Sequence, residues 1–320
     1  MLINASKIAM ETDMQDQIEK HKDTHLFGTA ALVGPPNAGK STLMNTMVGE
    51  KVAIVTPRAQ TTRNRISGIL STDRYQVVFL DTPGVNKARG KLGELLNRSA
   101  MEGLNSADVV LLVVDTELYV RKPHFLKKDF QPFKKRVSGL SGVIVVSNKT
   151  DKVRDKKKML PVWQELSRMF PEREILPVSA STGEGTELLL ERILEHLHPG
   201  PALYPEDQLS TLPMRFMVAE IIREKLFLSM RQEVPYGLAV EIEYWREQED
   251  LLHISAVIYV LRDAHKSMVI GRGGEVLKKV GMQARLEAEA LSGKRVYLET
   301  HVKVRPGWDE NPGFLRSLGI

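Results

Sequence analysis

Gly28-Thr29-Ala30-Ala31-Leu32-Val33 runs straight into Gly34-Pro35-Pro36-Asn37-Ala38-Gly39-Lys40-Ser41, and Thr42-Leu43-Met44-Asn45-Thr46-Met47-Val48 follows. The first block is an apolar run of strand length, and the last has the apolar face of a helix start. The middle block fits G-x-x-x-x-G-K-[ST]. Strand, glycine loop and helix N-terminus in that order aim backbone N–H groups and the positive end of a helix dipole at one point. Such a point is a phosphate site, lined from Gly34 to Thr42. In it Lys40 reaches the β- and γ-phosphates and the Ser41 hydroxyl holds Mg²⁺. A plain glycine-rich turn would satisfy the pattern by chance in roughly one chain in a hundred, and less often with these flanks.

Working outward, a second strand, Tyr75-Gln76-Val77-Val78-Phe79-Leu80, ends in Asp81-Thr82-Pro83-Gly84. Asp81 is placed to hold the metal through water, and the Gly84 N–H can sense a γ-phosphate. Between the two motifs lies Thr56-Pro57-Arg58-Ala59-Gln60-Thr61-Thr62-Arg63, which is polar, basic and poor in core residues. Without its neighbours it would read as an ordinary surface loop. Beside them it reads as a switch whose threonine joins the metal when triphosphate is present. Thr62 is preferred and Thr61 is the alternative, on spacing alone.

A third strand, Gly142-Val143-Ile144-Val145-Val146-Ser147, leads to Asn148-Lys149-Thr150-Asp151. Asp151 can accept hydrogen bonds from the N1–H and N2–H₂ of guanine. Adenine offers no such pair and would leave a desolvated carboxylate unpaired. Asn148 can tie this loop to the phosphate loop, and the aliphatic stem of Lys149 can cover the base. A fourth strand, Ile175-Leu176-Pro177-Val178, opens into Ser179-Ala180-Ser181, whose small side chains let backbone N–H groups approach guanine O6. N-K-x-D by itself arises by accident at roughly the few-per-cent level in a chain this long. Four motifs in order, each at the C-terminal end of a strand, match ligand placement in open α/β sheets.

The order GPPNAGKS, QTTR, DTPG, NKTD, SAS resembles the Era family within the translation-factor-like branch of the P-loop GTPases. The resemblance extends from about Phe27 to the C-terminus, through Pro205-Glu206-Asp207-Gln208, Arg215-Phe216-Met217, Ile221-Ile222-Arg223-Glu224-Lys225-Leu226 and the closing Leu315-Arg316-Ser317-Leu318-Gly319-Ile320. It implies a hydrophobic residue after D-x-x-G, here Val85, instead of the glutamine of Ras-type proteins. Valine cannot orient a water, so hydrolysis would rest on Mg²⁺, Lys40 and backbone donors and be slow without a partner. It also implies a role for Asn37 in holding K⁺ against the phosphates.

Composition sets the remaining bounds. The chain has 320 residues, enough for two domains, and no cysteine, which removes disulfides, thiolate zinc and thiol nucleophiles. Its eight histidines show no metal-site spacing. No apolar run approaches a membrane span; Ala107 to Val114 is the longest near-continuous one. Met1 to His25 lacks the apolar core of a signal peptide and reads as a frayed or weakly helical extension, or an over-long start. Lys plus Arg is 45 against Asp plus Glu 40, a modest excess compatible with nucleic acid. The basic run from Arg121 through Lys127-Lys128 to Lys134-Lys135-Arg136 reads first as a solvated helix face and second as an RNA contact.

A helix from Thr186 to Leu197 must stop at His198-Pro199-Gly200-Pro201. Beyond it the pattern is a helix (Met214 to Ser229), strands around Ala239–Trp245 and Leu252–Val260, then Ile270-Gly271-Arg272-Gly273-Gly274-Glu275-Val276, a long helix and a strand from Arg295 to Val304. The order α-β-β-α-α-β with G-x-x-G between the later helices resembles a KH domain of the bacterial arrangement. Gly271, Gly273 and Gly274 let RNA phosphates approach, Arg272 adds charge, and Ile270 and Val276 line a groove for unpaired bases. The fold expected is therefore an α/β P-loop GTPase domain, a mostly parallel sheet with helices on both faces, followed by an α+β type II KH domain. The divisions expected are 1–25 extension, 26–198 G domain, 199–213 linker, 214–308 KH domain and 309–320 tail.

By resemblance the chain is a GTP-driven switch that binds the 3′ region of 16S rRNA and assists small ribosomal subunit maturation. It would be a monomer in the cytoplasm, with room for peripheral contact at the inner membrane face. Two alternatives stand beside this. In one, the nucleotide domain of an RNA-binding protein is merely structural, and Lys40→Ala leaves RNA binding intact. In the other, the GTPase assists RNA modification, which calls for a dimerising or cofactor-binding domain where this chain has a KH pattern. The base reading is tested directly: Asp151→Asn should move nucleotide preference from guanine toward xanthine, and retained GTP selectivity in a competition assay would refute the assignment.

Overall fold

Val109-Val110-Leu111-Leu112-Val113-Val114 is apolar at every position, so a strand built from it must be covered on both faces. That requirement shapes the first half of the protein, whose computed structural model describes residues 25–56, 62–64, 66–84, 90–105, 107–230 and 234–320. Thr61, Val85 and residues 1–24 of the extension lie outside the described residues. In chain order the elements are β1 (Leu26–Val33), α1 (Lys40–Val48), β2 (Ile66–Ser71), β3 (Tyr75–Asp81), α2 (Gly90–Asn105), β4 (Val109–Asp115) and α3 (Thr116–Arg121). There follow α4 (His124–Val137), β5 (Val143–Asn148), α5 (Leu160–Met169), β6 (Ile175–Pro177), α6 (Thr186–Leu194) and β7 (His198–Pro199).

The sheet order is β2-β3-β1-β4-β5-β6. β2 is antiparallel to β3, the other neighbours along this path are parallel, and β7 lies antiparallel against the start of β1. Leu43, Met44, Phe79, Leu111 and Leu189 fill one face of the sheet, and Val110, Leu112, Phe130, Phe133 and Leu166 fill the other. The parallel strands all end at one edge, so the turns after β1, β3, β4, β5 and β6 converge there.

Two local readings are refined. The helix expected to reach Leu197 stops at Leu194, because His198 and Pro199 are needed to pair with Phe27 and Leu26. Leu197 is still buried, in the turn that leads to them. The basic run lies mainly on α4, which buries Leu126, Phe130, Phe133 and Val137 and leaves Lys127, Lys128, Lys134, Lys135 and Arg136 exposed. The basic residues thus share the outward side of α4, with a three- and four-residue spacing of core positions beneath it.

Residues 200–213 carry no helix or strand but are pinned along the β2 and β3 edge. The fully buried Gln76 accepts from the N–H groups of Leu203 and Tyr204 and donates to Tyr204 O, while the Ile69 N–H donates to Leu209 O. The second sheet follows from α7 (Met214–Ser229), β8 (Leu238–Glu247), β9 (Leu251–Val260), α8 (Asp263–Ile270), α9 (Glu275–Ser292), β10 (Arg295–Val304) and α10 (Pro312–Ser317). Its order is β10-β9-β8, with β9 parallel to β10 and antiparallel to β8. This is the α-β-β-α-α-β order of a type II KH fold. Ile222, Leu226, Ile254, Ile258 and Val280 pack one face against α7 and α9. The segment read as a tail is folded: its Phe314 and Leu315, with Trp308 just before it, cover Ala239, Val257 and Tyr259 on the other face.

Phe130 is fully buried in edge and tilted contact with Tyr119, Phe133 and Phe170. Phe130→Ala is expected to cost about 3–5 kcal/mol, read as a lower urea midpoint at unchanged slope.

Candidate functional site

Two glycines of the loop after β1 are fixed by what surrounds them. Gly34 has φ +150°, and a β-carbon there would sit 2.4 Å from Val113 O; Gly39 has φ +95°, and a β-carbon would sit 2.3 Å from Asn148 Nδ2. Gly39 is also the N-cap of α1 and offers no capping side chain. The first N–H groups of the helix, at Lys40, Ser41 and Thr42, are therefore left for an anion. Lys40 Nζ folds back on the loop, 3.3 Å from Gly34 O and 3.1 Å from Pro35 O. Burial pushes its pKa down, Asp81 opposes that shift, and Lys149 adds to it. Gly84 closes over the loop so tightly that a β-carbon would lie 2.8 Å from Pro36 Cα. The cleft between them is about 420 Å³ and is lined by Asn37, Gly39, Lys40, Ser41, Thr62 and Lys149 among others.

Three oxygens meet at the floor of this cleft. Ser41 Oγ donates to Asp81 Oδ2 at 2.5 Å and lies 3.0 Å from Thr62 Oγ1, which in turn donates to Asp81 Oδ2 at 3.2 Å. Asp81 is fully buried, and its other oxygen, Oδ1, has no hydrogen-bond partner among the described residues. Burial raises the Asp81 pKa, with Lys40, Ser41 and Thr62 pulling it down. A buried carboxylate with a spare oxygen beside two hydroxyls is a hard-oxygen donor set that fits Mg²⁺. Thr82 stands next to it with its hydroxyl donated to Leu32 O at 2.8 Å, which fixes the course of the Asp81–Gly84 turn.

At the other end of the cleft Asn148, 1% exposed, ties three loops together. Its Nδ2 donates to Ala38 O at 2.9 Å and its Oδ1 accepts from Ala180 N at 3.0 Å. Lys149 adopts a left-handed φ of 63° and its Nζ donates to Asn37 O and Asp115 Oδ2, each at 2.6 Å, so its stem is stretched across the mouth. Asp151 is oriented by two hydroxyls, Ser179 Oγ at 2.8 Å and Ser181 Oγ at 3.1 Å. A carboxylate held in this way can face a pair of N–H donors. The sequence reading omits Asp115, Ile54, Val55 and Lys152, of which Asp115 orients Lys149 and the others line the cleft, and it takes Thr56 only as the start of the switch loop. Asp115 was recoverable, since it ends β4 at the same edge as the four motifs.

The glycine loop of the second sheet is well separated in sequence and differently built. Gly271 (φ 75°) ends α8, and a β-carbon there would meet Val276 Cγ2 at 2.5 Å. Gly273 (φ 60°) and Gly274 (φ 81°) complete the turn, with Gly274 capping α9. Arg272 and Gly273 are exposed, and Ile270 and Val276 are half-buried beside them. Backbone and one guanidinium are thus presented outward with an apolar floor close by.

Comparison with known proteins follows the same division. A family described as 50S ribosome-binding GTPase matches residues 29–149, and the KH domain family matches residues 233–309. The GTPase Era of Nitratidesulfovibrio vulgaris strain Miyazaki F is 54% identical over 302 residues, covering 93% of this chain and 98% of that protein. The GTPase Era of Desulfovibrio desulfuricans is 48% identical over 296 residues, 92% of this chain and 96% of that protein. A crystal structure of Era in complex with MgGDPNP and nucleotides 1506–1542 of 16S ribosomal RNA superposes with a TM-score of 0.84 at 38% identity, covering 92% of this chain and 99% of that one. An Aquifex aeolicus Era variant bound to GDP·AlF4⁻ gives 0.83, also at 38% identity and with the same coverage. Identity of this degree, sustained through both sheets and the segment joining them, means that the chain belongs to the GTPase Era family.

Proposed function

We propose that this GTPase is a switch that binds single-stranded RNA near the 3′ end of the small-subunit ribosomal RNA and assists maturation of the small ribosomal subunit. One observation carries the proposal. The Era structure that shares this architecture over 92% of the chain is described with a magnesium-bound GTP analogue and a 16S rRNA segment together. The loop geometry supports the assignment of each part. In this reading Gly34 to Thr42 enclose the phosphates, Asn148, Lys149, Asp151, Ser179 and Ala180 hold guanine, and Ile270 to Gly274 with Val276 hold RNA.

Ser41, Thr62 and Asp81 would hold Mg²⁺, which when bound supplies positive charge to the β- and γ-phosphate oxygens. Lys40 adds its own charge from a buried position where it is not screened. Gly84 offers an N–H to the γ-phosphate, and Val85 contributes no proton acceptor. Thr61, Thr62, Asp81, Thr82, Pro83, Gly84 and Val85 form the part that responds to loss of that phosphate. Asn37, at the tip of the phosphate loop with φ 62°, is the proposed K⁺ ligand. The proposed home is the cytoplasm, as a monomer. No helix among the described residues is long and apolar enough to cross a membrane, and contact with the inner membrane face in this reading is peripheral.

RNA affinity should differ between the GTP-analogue and GDP forms, measured with a 3′-terminal 16S oligonucleotide; equal affinities would remove the switch, since a ligand without preference shifts no equilibrium. Changing Gly271 and Gly274 to Asp should abolish that binding while leaving GTP turnover intact. Turnover should be faster in KCl than in NaCl at equal ionic strength, and identical rates would exclude the Asn37 cation site.

A further inference from the structure

Three consecutive residues reach three separate parts of the protein. Thr62 Oγ1 stands 3.0 Å from Ser41 Oγ and 3.2 Å from Asp81 Oδ2. Arg63 turns the other way, into the KH module, and is 5% exposed. Its Nη1 donates to Leu238 O at 2.5 Å and its Nη2 to Tyr236 O at 2.8 Å, which is the chain entering β8. The guanidinium carbon lies 5.4 Å from the centre of the Trp308 ring, and Trp308 is pinned by its own Nε1–H to Gly237 O at 3.2 Å. Asn64 Nδ2 then donates to Leu318 O, in the turn after α10, at 3.3 Å.

A buried guanidinium normally sits against a carboxylate. Here the fork is spent on two backbone carbonyls, with a tryptophan face behind it; burial and the nearby Arg223 push its pKa down to about 9, with Glu220 and Asp309 opposing them. Such a seat reads the position of the β8 backbone. The other end of the same loop is held as well: Glu224 of α7, 3% exposed, accepts from the Val55 N–H at 2.9 Å, and Val55 lines the nucleotide cleft. The stretch that carries Thr62 is therefore fastened to the KH module on both sides.

We propose that Arg63 is a positioning residue for GTP hydrolysis, seated in the KH module so that β8 holds the Thr62 hydroxyl where it meets Ser41 and Asp81. Adjacent Cα atoms are about 3.8 Å apart with a rigid peptide between them, so a shift of the Arg63 seat reaches Thr62 with little slack. By linkage the effect on binding runs both ways: triphosphate that engages Thr62 changes the RNA affinity of the KH module, and RNA on that module changes triphosphate affinity by the same factor. The proposal rests on Thr62 serving the metal, as read above.

The experiment is a mutant cycle on the full-length protein with Thr62→Ala, Arg63→Ala and the double variant. The readouts are the Mg²⁺ concentration for half-maximal hydrolysis and the affinities for GDP and a non-hydrolysable GTP analogue. Arg63→Ala should raise the Mg²⁺ requirement and weaken the analogue about fivefold or more, with GDP affinity unchanged, and should add nothing in the Thr62→Ala background. Arg63→Lys keeps charge and stem but loses the fork, so it should move the same readouts in the same direction, and it carries the cycle if the alanine variant does not fold. Effects that multiply in the double variant, or an equal loss of GDP affinity, would overturn the proposal while leaving Thr62 at the metal. A Mg²⁺ requirement unmoved by Thr62→Ala would overturn both.

Discussion

The amide of Asn148 must satisfy two loops at once, and the nucleotide cleft depends on its doing so. Its donor goes to Ala38 O and its acceptor to Ala180 N, in a place where water does not reach. An amide is the side chain that offers donors at one end and an acceptor at the other end of one planar group, so neither a carboxylate nor an alkyl group could serve. Loss of either bond would strand a buried polar group, which costs more than the bond itself contributes. The Asn148 amide also occupies the space that a side chain at Gly39 would need, so the glycine loop and the base loop define each other.

Part of the joint between the two sheets is polar, beside an apolar part where Leu92 and Leu95 of α2 pack against the cluster of Tyr259, Trp308, Phe314 and Leu315. Lys51 lies 2.7 Å from Glu224 Oε2 and 2.6 Å from Glu287 Oε1, and Lys225 bridges the same two carboxylates. Lys51, Lys225 and Glu287 are partly exposed, and pairs of that kind contribute modestly, whereas Glu224 is buried. Glu224 and Arg63 differ from the rest of the joint, because they are buried and touch the backbone of the opposite module directly. The KH module is thereby in contact with the walls of the nucleotide cleft as well as with its own glycine loop.

Much of the plan was legible in the residues. A strand, glycine loop and helix start in that order mark a phosphate site, and the β-branched run before Asn148 reads as a buried parallel strand. Periodicity placed a helix at Met214 to Ser229, and α7 has those bounds. What periodicity could not do was end α6 at Leu194, since that end is decided by the pairing of His198 and Pro199 with β1, far away in sequence. The closing residues after Trp308 looked like a tail because Phe314 and Leu315 are too few to announce a core. They become one only when they find Ala239, Val257 and Tyr259.

The sequence by itself determined which loops carry the chemistry, because phosphate, purine and RNA backbone each demand particular residue types at short, fixed spacing. It also favoured Thr62 over Thr61 only by spacing, and it was silent on Asp115 and on Arg63. The seat of Arg63 belongs to the tertiary structure. Arg63 sits in a polar, basic stretch whose composition is that of any surface loop, and its partners are backbone carbonyls, which leave no trace in residue identity. A side chain that recognises main chain across a domain joint becomes visible only when both pieces are folded and docked.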